Sequence, residues 1–258
     1  MSSPVQLPQE LLAAVEEALP RSKRRATAAL ARDLAGAWWG LRTAVLVDSC
    51  MLSESDAAAL GSQLAKASID ALFVLHEPVS GQTLVVNREL LKARLDKPDV
   101  AIVDVGGRVP VVLPSPPPSL SALLDSLSSS VAASSASYIT LVLPDPSRPQ
   151  DLVPLVGLLL DYPVAYSLGA SEGPNCVGGR ELVVVEAALF GPRGTRERLL
   201  SFSYPCGLPS GPEGSLLVER LHLTLSTRLA AAQAVHPELE GAQIEVEERM
   251  VVLDQVAL

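Results

Sequence analysis

Hydrophobic residues in the first 40 positions are spaced as in amphipathic helices. Four of them share one helical face: Leu11, Leu12, Val15 and Leu19. Pro20 ends this segment, and Ser22 predicts the N-cap of an alanine-rich helix that runs to about Trp39. We therefore expect residues 1–40 to form two helices that pack on the rest of the protein.

From residue 41 onward, short apolar runs alternate with segments of helical spacing, which is the pattern of an α/β domain. The apolar runs predict buried strands of the kind found in parallel sheets at 44–47, 71–75, 100–105, 138–143 and 164–168. Between them, helical spacing predicts helices at 53–67, 88–95, 119–135 and 149–160. We predict a single α/β domain over residues 41–258. Its mixed sheet is expected to have parallel strands early, antiparallel strands after about residue 181, and helices on both faces.

Turn residues at two places predict antiparallel hairpins. Ser80 and Gly81 separate the run at 71–75 from a short strand at 83–86. The Gly-Pro-Arg-Gly tetrapeptide at 191–194 separates two longer runs in the same way. We expect the strands on either side of each turn to be neighbours in a sheet.

A proline-rich segment at 114–118 interrupts the alternation of strands and helices. Its prolines enforce a stiff, extended connection between the segments that flank it. Neither side of this connection holds a complete sheet on its own. We therefore interpret it as a loop inside the single domain and not as a boundary between two domains.

The chain ends in a predicted helix and a predicted strand. The helix, capped by Ser215, has an apolar stripe with a spacing of four residues: Leu217, Leu221, Leu225 and Leu229. The strand has an apolar face formed by Ile244, Val246, Met250 and Val252. Its other face carries Glu245, Glu247 and Arg249. This alternation predicts an edge strand with one face in solvent.

The composition excludes several classes of protein. With 48% hydrophobic and 19% charged residues, the chain is too apolar for a disordered protein, and its 258 residues can bury a sizeable core. The net charge of −9 argues against nucleic acid as the main partner, because phosphate binding needs a concentrated basic face. The acidic segment at 1–20 lacks the pattern of a signal peptide, and the longest uncharged apolar stretch, at 152–160, is about half a membrane span. We expect a soluble protein that does not bind a membrane.

Cysteines and basic residues indicate the compartment. Cys50, Cys176 and Cys206 have no close spacing, so they support neither a disulfide framework nor a zinc knuckle and favour a reducing, cytoplasmic location. The basic cluster at 21–25 is either a nuclear-localisation or acidic-partner patch, or the solvated face of a helix. The first interpretation would allow a nuclear location as well. We favour the solvated face.

One segment comes close to a named catalytic motif. Gly169-Ala170-Ser171-Glu172-Gly173 fits the G-x-S-x-G pattern, which places a serine on a sharp turn between a strand and a helix. The required helix is absent from the pattern, because Pro174 and further glycines follow and then another strand. We therefore interpret the segment as a surface loop. The sequence contains no P-loop, dinucleotide-binding or zinc-protease motif, and we assign no catalytic, cofactor-binding or metal-binding residue.

Polar residues at the ends of predicted strands form a second candidate site. Asp48 and Cys50 follow the first strand, His76 follows the second, and Asp104 lies at the end of another. Ligands of open α/β sheets bind beyond the carboxyl ends of the strands, so these side chains could share one edge. A Cys50 thiolate with His76 as its base would be a nucleophile, whereas Asp48 and Asp104 could hold Mg²⁺ through waters. The competing interpretation is that these residues only cap turns and helices.

Two parts of the sequence carry a resemblance to a known family. The first is Asp161-Tyr162-Pro163-Val164-Ala165-Tyr166 with Asn175-Cys176 and the apolar run at 182–185, and the second is Val45-Leu46-Val47-Asp48. In these segments the chain resembles an uncharacterised animal family, a domain of unknown function of the chromosome 1 open reading frame 74 type. The resemblance covers most of the chain from about Leu41 onward. It implies no activity, substrate or catalytic residue.

We predict a non-catalytic protein that binds a protein partner. Recognisable catalytic spacings fail, and the exposed terminal strand could accept a strand from another chain. The alternative is a small-molecule hydrolase or transferase with a site around Asp48, Cys50 and His76. The enzyme hypothesis requires Asp48, His76 and Asp104 to converge in one pocket, and the binding hypothesis does not.

Overall fold

Helices and strands alternate along most of the chain. The computed structural model describes residues 7–145, 147–169, 175–192, 194–208 and 214–255. The α-helices in these ranges are α1 (Gln9–Ala18), α2 (Thr27–Trp38), α3 (Glu54–Lys66), α4 (Arg88–Asp96), α5 (Pro118–Ala132), α6 (Leu152–Leu159) and α7 (Gly214–Gln233). The strands are β1 (Ala44–Leu46), β2 (Leu72–Glu77), β3 (Gln82–Asn87), β4 (Ala101–Asp104), β5 (Val111–Val112), β6 (Tyr138–Thr140), β7 (Val164–Ser167), β8 (Glu181–Phe190), β9 (Arg196–Pro205) and β10 (Gln243–Val252). The predicted α/β class is confirmed.

The strands form three sheets. The first has the order β1-β3-β2-β6, with β2 and β6 parallel and its other neighbours antiparallel. The second has the order β5-β4-β7, with β4 and β7 parallel. The third, β10-β8-β9, is antiparallel. Both parallel pairs therefore come before residue 181, and the described strands after it are antiparallel, as predicted.

The first strand pairs differently from the expectation for a parallel sheet. β1 lies at the edge of the first sheet and runs antiparallel to β3, with Val45 opposite Val85. Its apolar run is nevertheless buried, because α2 and α6 contact it. An apolar run predicts that both faces of a strand are covered, but it carries no information on the direction of the neighbouring strand.

The predicted hairpin between β2 and β3 is confirmed, since the two strands pair along their whole length. The carboxylate of Glu77 accepts the N–H groups of Val79 at 2.8 Å and Ser80 at 2.6 Å. Gly81 follows with a φ of 72°, a conformation that glycine adopts without steric cost. These turn residues set the register of the hairpin.

The first sheet is buried on both faces. Val74 and Val85 belong to a core cluster shared with α1, α2 and α3, whereas Phe73, Leu75 and Val86 belong to a second cluster shared with α4, α5 and α6. All five side chains are fully buried. Two covered faces explain why the first four residues of β2, Leu72 to Leu75, are all apolar, and the helices lie on both sides of this sheet, as predicted.

The N-terminal helices pack into the core, but the second begins later than expected. Leu11 of α1 and Leu30 of α2 are fully buried. Ser22 is not the N-cap of α2, because residues 21–26 form a separate 3₁₀ helix and α2 begins at Thr27. In this arrangement Lys23 reaches Asp56 of α3 at 2.5 Å. The division of the chain at residue 40 remains a prediction.

The C-terminal helix buries the predicted leucine stripe. Leu217, Leu221, Leu225 and Leu229 all lie in the core, and α7 packs against β10. The side chain of the predicted cap, Ser215, lies outside the described part of the structure. Among the described residues, no helix is both long enough and apolar enough to cross a bilayer.

Candidate functional site

A buried ion pair at Asp161 connects segments that are distant in sequence. Arg228 of α7 donates hydrogen bonds to both carboxylate oxygens, with Nη1–Oδ2 at 2.9 Å and Nη2–Oδ1 at 3.1 Å. The backbone N–H and the hydroxyl of Thr43 donate to the same carboxylate at 2.6 and 2.8 Å. Arg228 also donates to the carbonyl oxygen of Leu41 at 3.0 Å. Asp161 thus joins the segment after α6 to α7 and to the segment before β1.

The Asp161 carboxyl is ionised at neutral pH in spite of its burial. Burial alone would raise its pKa, but the charge and hydrogen bonds of Arg228 and the hydrogen bonds from Thr43 lower the pKa below the ordinary value of 3.8. Asp161 has a φ of 64°, in the left-handed region that non-glycine residues adopt only rarely. The hydrogen bonds to its side chain compensate for this backbone conformation.

The segment from Asp161 to Pro163 separates two cavities, each of about 290 Å³. Asp161 and Pro163 line the first, which is rich in arginine and is called the arginine cavity below. Tyr162 lines the second, which is mainly apolar and is called the aromatic cavity. This segment therefore belongs to both candidate ligand sites.

Three guanidinium groups line the arginine cavity. Arg220 and Arg228 come from α7 and Arg94 from α4. Arg94 donates to three backbone carbonyl oxygens at 3.0 to 3.3 Å, and Arg220 forms an ion pair with Asp99. Guanidinium groups bind carboxylates and phosphates in planar, often bidentate geometry, so this cavity has the chemistry of an anion site.

The aromatic cavity lies where the three sheets meet. Its wall includes Leu46 of β1, Tyr166 of β7 and Phe202 of β9, and the ring of Phe202 stacks on that of Tyr162 at 5.4 Å between centroids. Gln82 Oε1 is buried in this wall and has no hydrogen-bond partner in the described structure. A small apolar molecule with an N–H or O–H donor would satisfy that oxygen.

The predicted nucleophile Cys50 is not in an activating environment. Burial raises the pKa of its thiol, and the nearby positive charge of Lys23 only partly offsets that effect. The reactive form of a cysteine is the thiolate, which a raised pKa disfavours. Asp48 is exposed after the end of β1. No hydrogen bond among the described residues joins Asp48 or Cys50 to His76.

His76, the predicted base, is a buried residue with a local partner. Its side chain is 2% exposed, and its Nδ1 lies 2.9 Å from the hydroxyl of Thr83 on the neighbouring strand. Its backbone carbonyl accepts the N–H of Leu141 from the other side. These contacts place His76 inside the first sheet and not at the mouth of a cleft.

Asp104 lies in a different sheet from the other candidates. It ends β4 in the second sheet, and its carboxylate accepts the N–H of Gly106 at 2.9 Å, which is a turn-capping contact. The cleft that it lines with Arg148 and Ser167 does not include Asp48, Cys50 or His76. In the described part of the chain, no three histidine, cysteine, aspartate or glutamate side chains are grouped as metal ligands. The structure therefore does not bring these predicted site residues together.

The G-x-S-x-G segment is described only at its first residue. Gly169 has a φ of 54° and lies against the carboxylate of Asp104, where a Cβ would approach Oδ2 to 3.3 Å. Residues 170–174 lie outside the described residues. The interpretation of this segment as a loop remains a prediction.

The terminal strand leaves one of its edges unpaired in the described structure. β10 pairs with β8 over ten residues and lies at the end of the third sheet. Ile244 is buried, but Met250 is 66% exposed and Val252 is 60% exposed. The predicted apolar face is therefore covered only in the first half of the strand. The second half presents apolar side chains next to an open strand edge.

A model of a protein family matches most of the chain. The model of a domain of unknown function, DUF4504, matches residues 14–253. The chain belongs to this family. No curated protein and no solved structure matches it.

The matched range of the DUF4504 domain includes the Asp161 ion pair, both cavities and the whole of β10. The resemblance to an uncharacterised family is therefore confirmed at this level. Membership shows no activity, so the chemistry has to be inferred from the residues themselves.

The sequence interpretation of this DUF4504 domain missed the arginines of the arginine cavity. A signal was present, because Arg220 and Arg228 each come three residues after a leucine of the α7 stripe, Leu217 and Leu225. Residues three apart lie on the same side of a helix, so both arginines flank the buried face. Arg94 carried the same signal in a shorter helix, since it comes three residues after Leu91, the buried leucine of α4.

Proposed function

We propose that the protein acts by binding a protein partner, whose extended segment adds a strand to the free edge of β10. The observation that supports this proposal is the length of the edge: β10 is paired over ten residues on one side and unpaired on the other in the described structure. An exposed edge of this kind can pair with the backbone of another chain. The exposed side chains of Met250 and Val252 would supply apolar contacts to the added strand.

Charge favours a basic partner segment. Glu245, Glu247 and Glu248 are exposed on β10 with Arg249 as the one basic residue of the strand, and the whole chain carries a net charge of −9. Glu186 and Glu247 are joined through Arg196 on the same sheet. A segment that alternates lysine with β-branched residues would complement both the charges and the strand geometry.

Hydrogen–deuterium exchange with a peptide of alternating lysine and valine tests this proposal. Alternate β10 amides, those not paired to β8, should exchange rapidly in the free protein and become protected when the peptide binds. A peptide of the same sequence with N-methyl groups at alternate residues cannot donate to the strand edge and should not protect them. Protection that appears elsewhere, or is equal with the methylated peptide, would contradict strand addition.

Charge-reversal variants give a matched comparison. Glu245→Lys should weaken peptide binding several-fold, because Glu245 lies on the face opposite to Met250 and Val252, where a like charge would then face the lysines of the peptide. Glu16→Lys makes the same change of net charge on an exposed position of α1 and should leave binding unchanged. Equal effects of the two variants would mean that the peptide senses only the net charge.

The alternative function, a hydrolase or transferase at Asp48, Cys50 and His76, has less support. The Cys50 thiol has a raised pKa, and His76 is buried against Thr83. An ester and phosphoester panel on the natural protein and on Cys50→Ala separates the two functions. Turnover that disappears in Cys50→Ala would favour the enzyme and count against a purely binding role.

Two further proposals concern the setting of the protein. We propose a cytoplasmic location, supported by three free cysteines, Cys50, Cys176 and Cys206. Imaging of a tagged chain tests it, and nuclear accumulation lost in Arg24→Ala/Arg25→Ala would point to the basic cluster instead. We also propose that the family is the animal family of the chromosome 1 open reading frame 74 type, on the segment from Asp161 to Tyr166.

A further inference from the structure

One face of α7 and the edge of the second sheet enclose the arginine cavity. Leu217, Leu221 and Leu225 line it at intervals of one helical turn, and Val112 of β5 lines the opposite wall. Its volume, about 290 Å³, is near the lower end for small-molecule sites, which span about 300–1,000 Å³. The cavity therefore has an apolar body with cationic groups at its rim and floor.

The guanidinium groups keep free hydrogen-bond donors. An arginine has five N–H donors, and Arg94 and Arg228 each make three described hydrogen bonds within the chain. Arg220 is 63% exposed and pairs only with Asp99 among the described residues. Each of the three can therefore bind a further acceptor without losing its present contacts, which distinguishes them from arginines that are fully used in packing.

The charges of the cavity do not balance. Three arginines line it, and Asp99 and Asp161 are the acidic residues of the same lining, which leaves one positive charge. Burial lowers the pKa of the Arg94 guanidinium, whereas the negative charges of Asp161 and Asp99 raise that pKa against the positive charges of Arg228 and Arg220. The one unbalanced positive charge of the lining and the N–H donors that remain free therefore favour a bound anion.

We propose that the arginine cavity binds a small carboxylic acid, with the carboxylate on Arg94 and Arg220 and the aliphatic body against the leucines of α7. One unbalanced positive charge matches one carboxylate better than a doubly charged phosphate. The leucine wall requires an apolar body, which a bare inorganic anion does not have. This site is separate from the β10 edge and does not depend on the proposed partner binding.

Binding of hexanoate, followed by titration calorimetry or by chemical shifts of α7, tests the proposal. Hexanoate should bind, whereas hexanamide, which has the same body without the charge, should bind at least about tenfold more weakly. Inorganic phosphate should also bind more weakly than hexanoate. Equal binding of the amide would show an apolar site only, and tighter binding of phosphate would contradict the choice of a carboxylate. No binding of hexanoate up to about 10 mM would overturn the proposal.

Two substitutions at the rim should act in opposite directions. Arg220→Gln removes one cation from an exposed position and should weaken hexanoate binding about tenfold. Asp99→Asn removes the acid that competes for Arg220 and should strengthen binding by up to about fivefold. Arg24→Gln, at an exposed position of the first 3₁₀ helix, is the charge-matched control and should bind as the natural protein does.

The direction of the two effects decides the outcome. Weakening in both rim variants would indicate that their ion pair merely holds the structure, and it would contradict a carboxylate on Arg220. Unfolding curves of the three variants should coincide, because exposed ion pairs contribute little to stability. A hexanoate affinity that is unchanged in Arg220→Gln would also overturn the proposal.

Discussion

The carboxylate of Asp161 accepts four hydrogen bonds, two from Thr43 and two from Arg228. Asp161→Asn preserves the shape of the side chain but removes its charge, so Arg228 is left as a largely buried cation without its counter-ion. We expect the free energy of unfolding to fall by about 3–5 kcal/mol, measured by urea denaturation at pH 7.

Asp125→Asn is the matched control for this substitution. Asp125 is exposed on α5, and its replacement should change the free energy of unfolding by less than about 0.5 kcal/mol. A loss below about 1 kcal/mol in Asp161→Asn would mean that the ion pair contributes no more than a surface pair does.

Single residues also show what sequence reasoning could not supply. The positions of His76 and Asp104 at strand ends could be predicted, because apolar runs stop there. The partners of their side chains could not: His76 faces Thr83, and Asp104 binds the N–H of Gly106. Asp161 depends on contacts across more than 100 residues of sequence, and no local pattern indicates such a pairing.

The close approach of α3 to the segment before β6 depends on the glycine at position 61. Gly61 of α3 packs on the segment that leads into β6, and a Cβ at this position would lie 2.5 Å from the carbonyl oxygen of Ser137. Gly61→Ala would stabilise the helix by about 1 kcal/mol through its higher helix propensity. The added Cβ, however, would meet the backbone of Ser137, which cannot move aside easily. We expect the free energy of unfolding, measured by thermal or urea denaturation, to fall by about 1–3 kcal/mol.

Gly36→Ala in α2 separates helix propensity from packing. The three heavy atoms nearest to a Cβ at Gly36 all belong to side chains, with Arg42 Cδ at 3.2 Å, Arg42 Cγ at 3.5 Å and Leu199 Cδ2 at 3.6 Å. The gain in helix propensity should then remain, so Gly36→Ala should be neutral or more stable by up to about 1 kcal/mol. If both variants lost stability equally, the contact between Gly61 and Ser137 would not be the cause.

At the scale of elements, burial and the hairpin pairing of β2 with β3 could be predicted, but the pairing of β1 could not. The apolar run of β2 indicates a strand covered on both faces, and the structure places a helical layer with its own core cluster on each side. The same signal in β1 suggests a parallel strand, yet β1 is an antiparallel edge. Hydrophobic patterns report the environment of a strand, whereas its neighbours are set by long-range contacts that the pattern does not encode.

For the whole molecule, the three sheets meet at the segment from Asp161 to Tyr166, and the two cavities lie on either side of it. This arrangement follows from the parallel pair of β4 and β7 in the second sheet and from Arg228, which α7 brings to Asp161. The length and composition predict a single α/β domain. They do not predict that its polar chemistry gathers between sheets, away from the strand ends at Asp48 and His76.

The stability of the whole molecule should vary with pH through carboxyl groups whose pKa values shift in opposite directions, and Asp56, paired with Lys23, is shifted downward like Asp161. The pKa of Asp161 lies below 3.8, so its stabilising contribution is present above that value and is lost as the pH falls through the folded pKa. Burial, with repulsion from Asp48, raises the pKa of Asp33 above 3.8. Its ionised form therefore destabilises the folded state, and this cost is relieved as the pH falls through the raised pKa.

Lowering the pH from 7 should first increase the free energy of unfolding and then, below about 4, decrease it. The two parts of the profile come from different carboxyl groups. The side chain at position 33 in Asp33→Asn cannot ionise, so this variant should lose the increase in the free energy of unfolding but keep its decrease at acid pH. Urea unfolding at a series of pH values from 7 to 3 measures both. An Asp33→Asn profile that still rises on acidification would assign the increase to another group, since the neutral amide carries no titratable proton in this range.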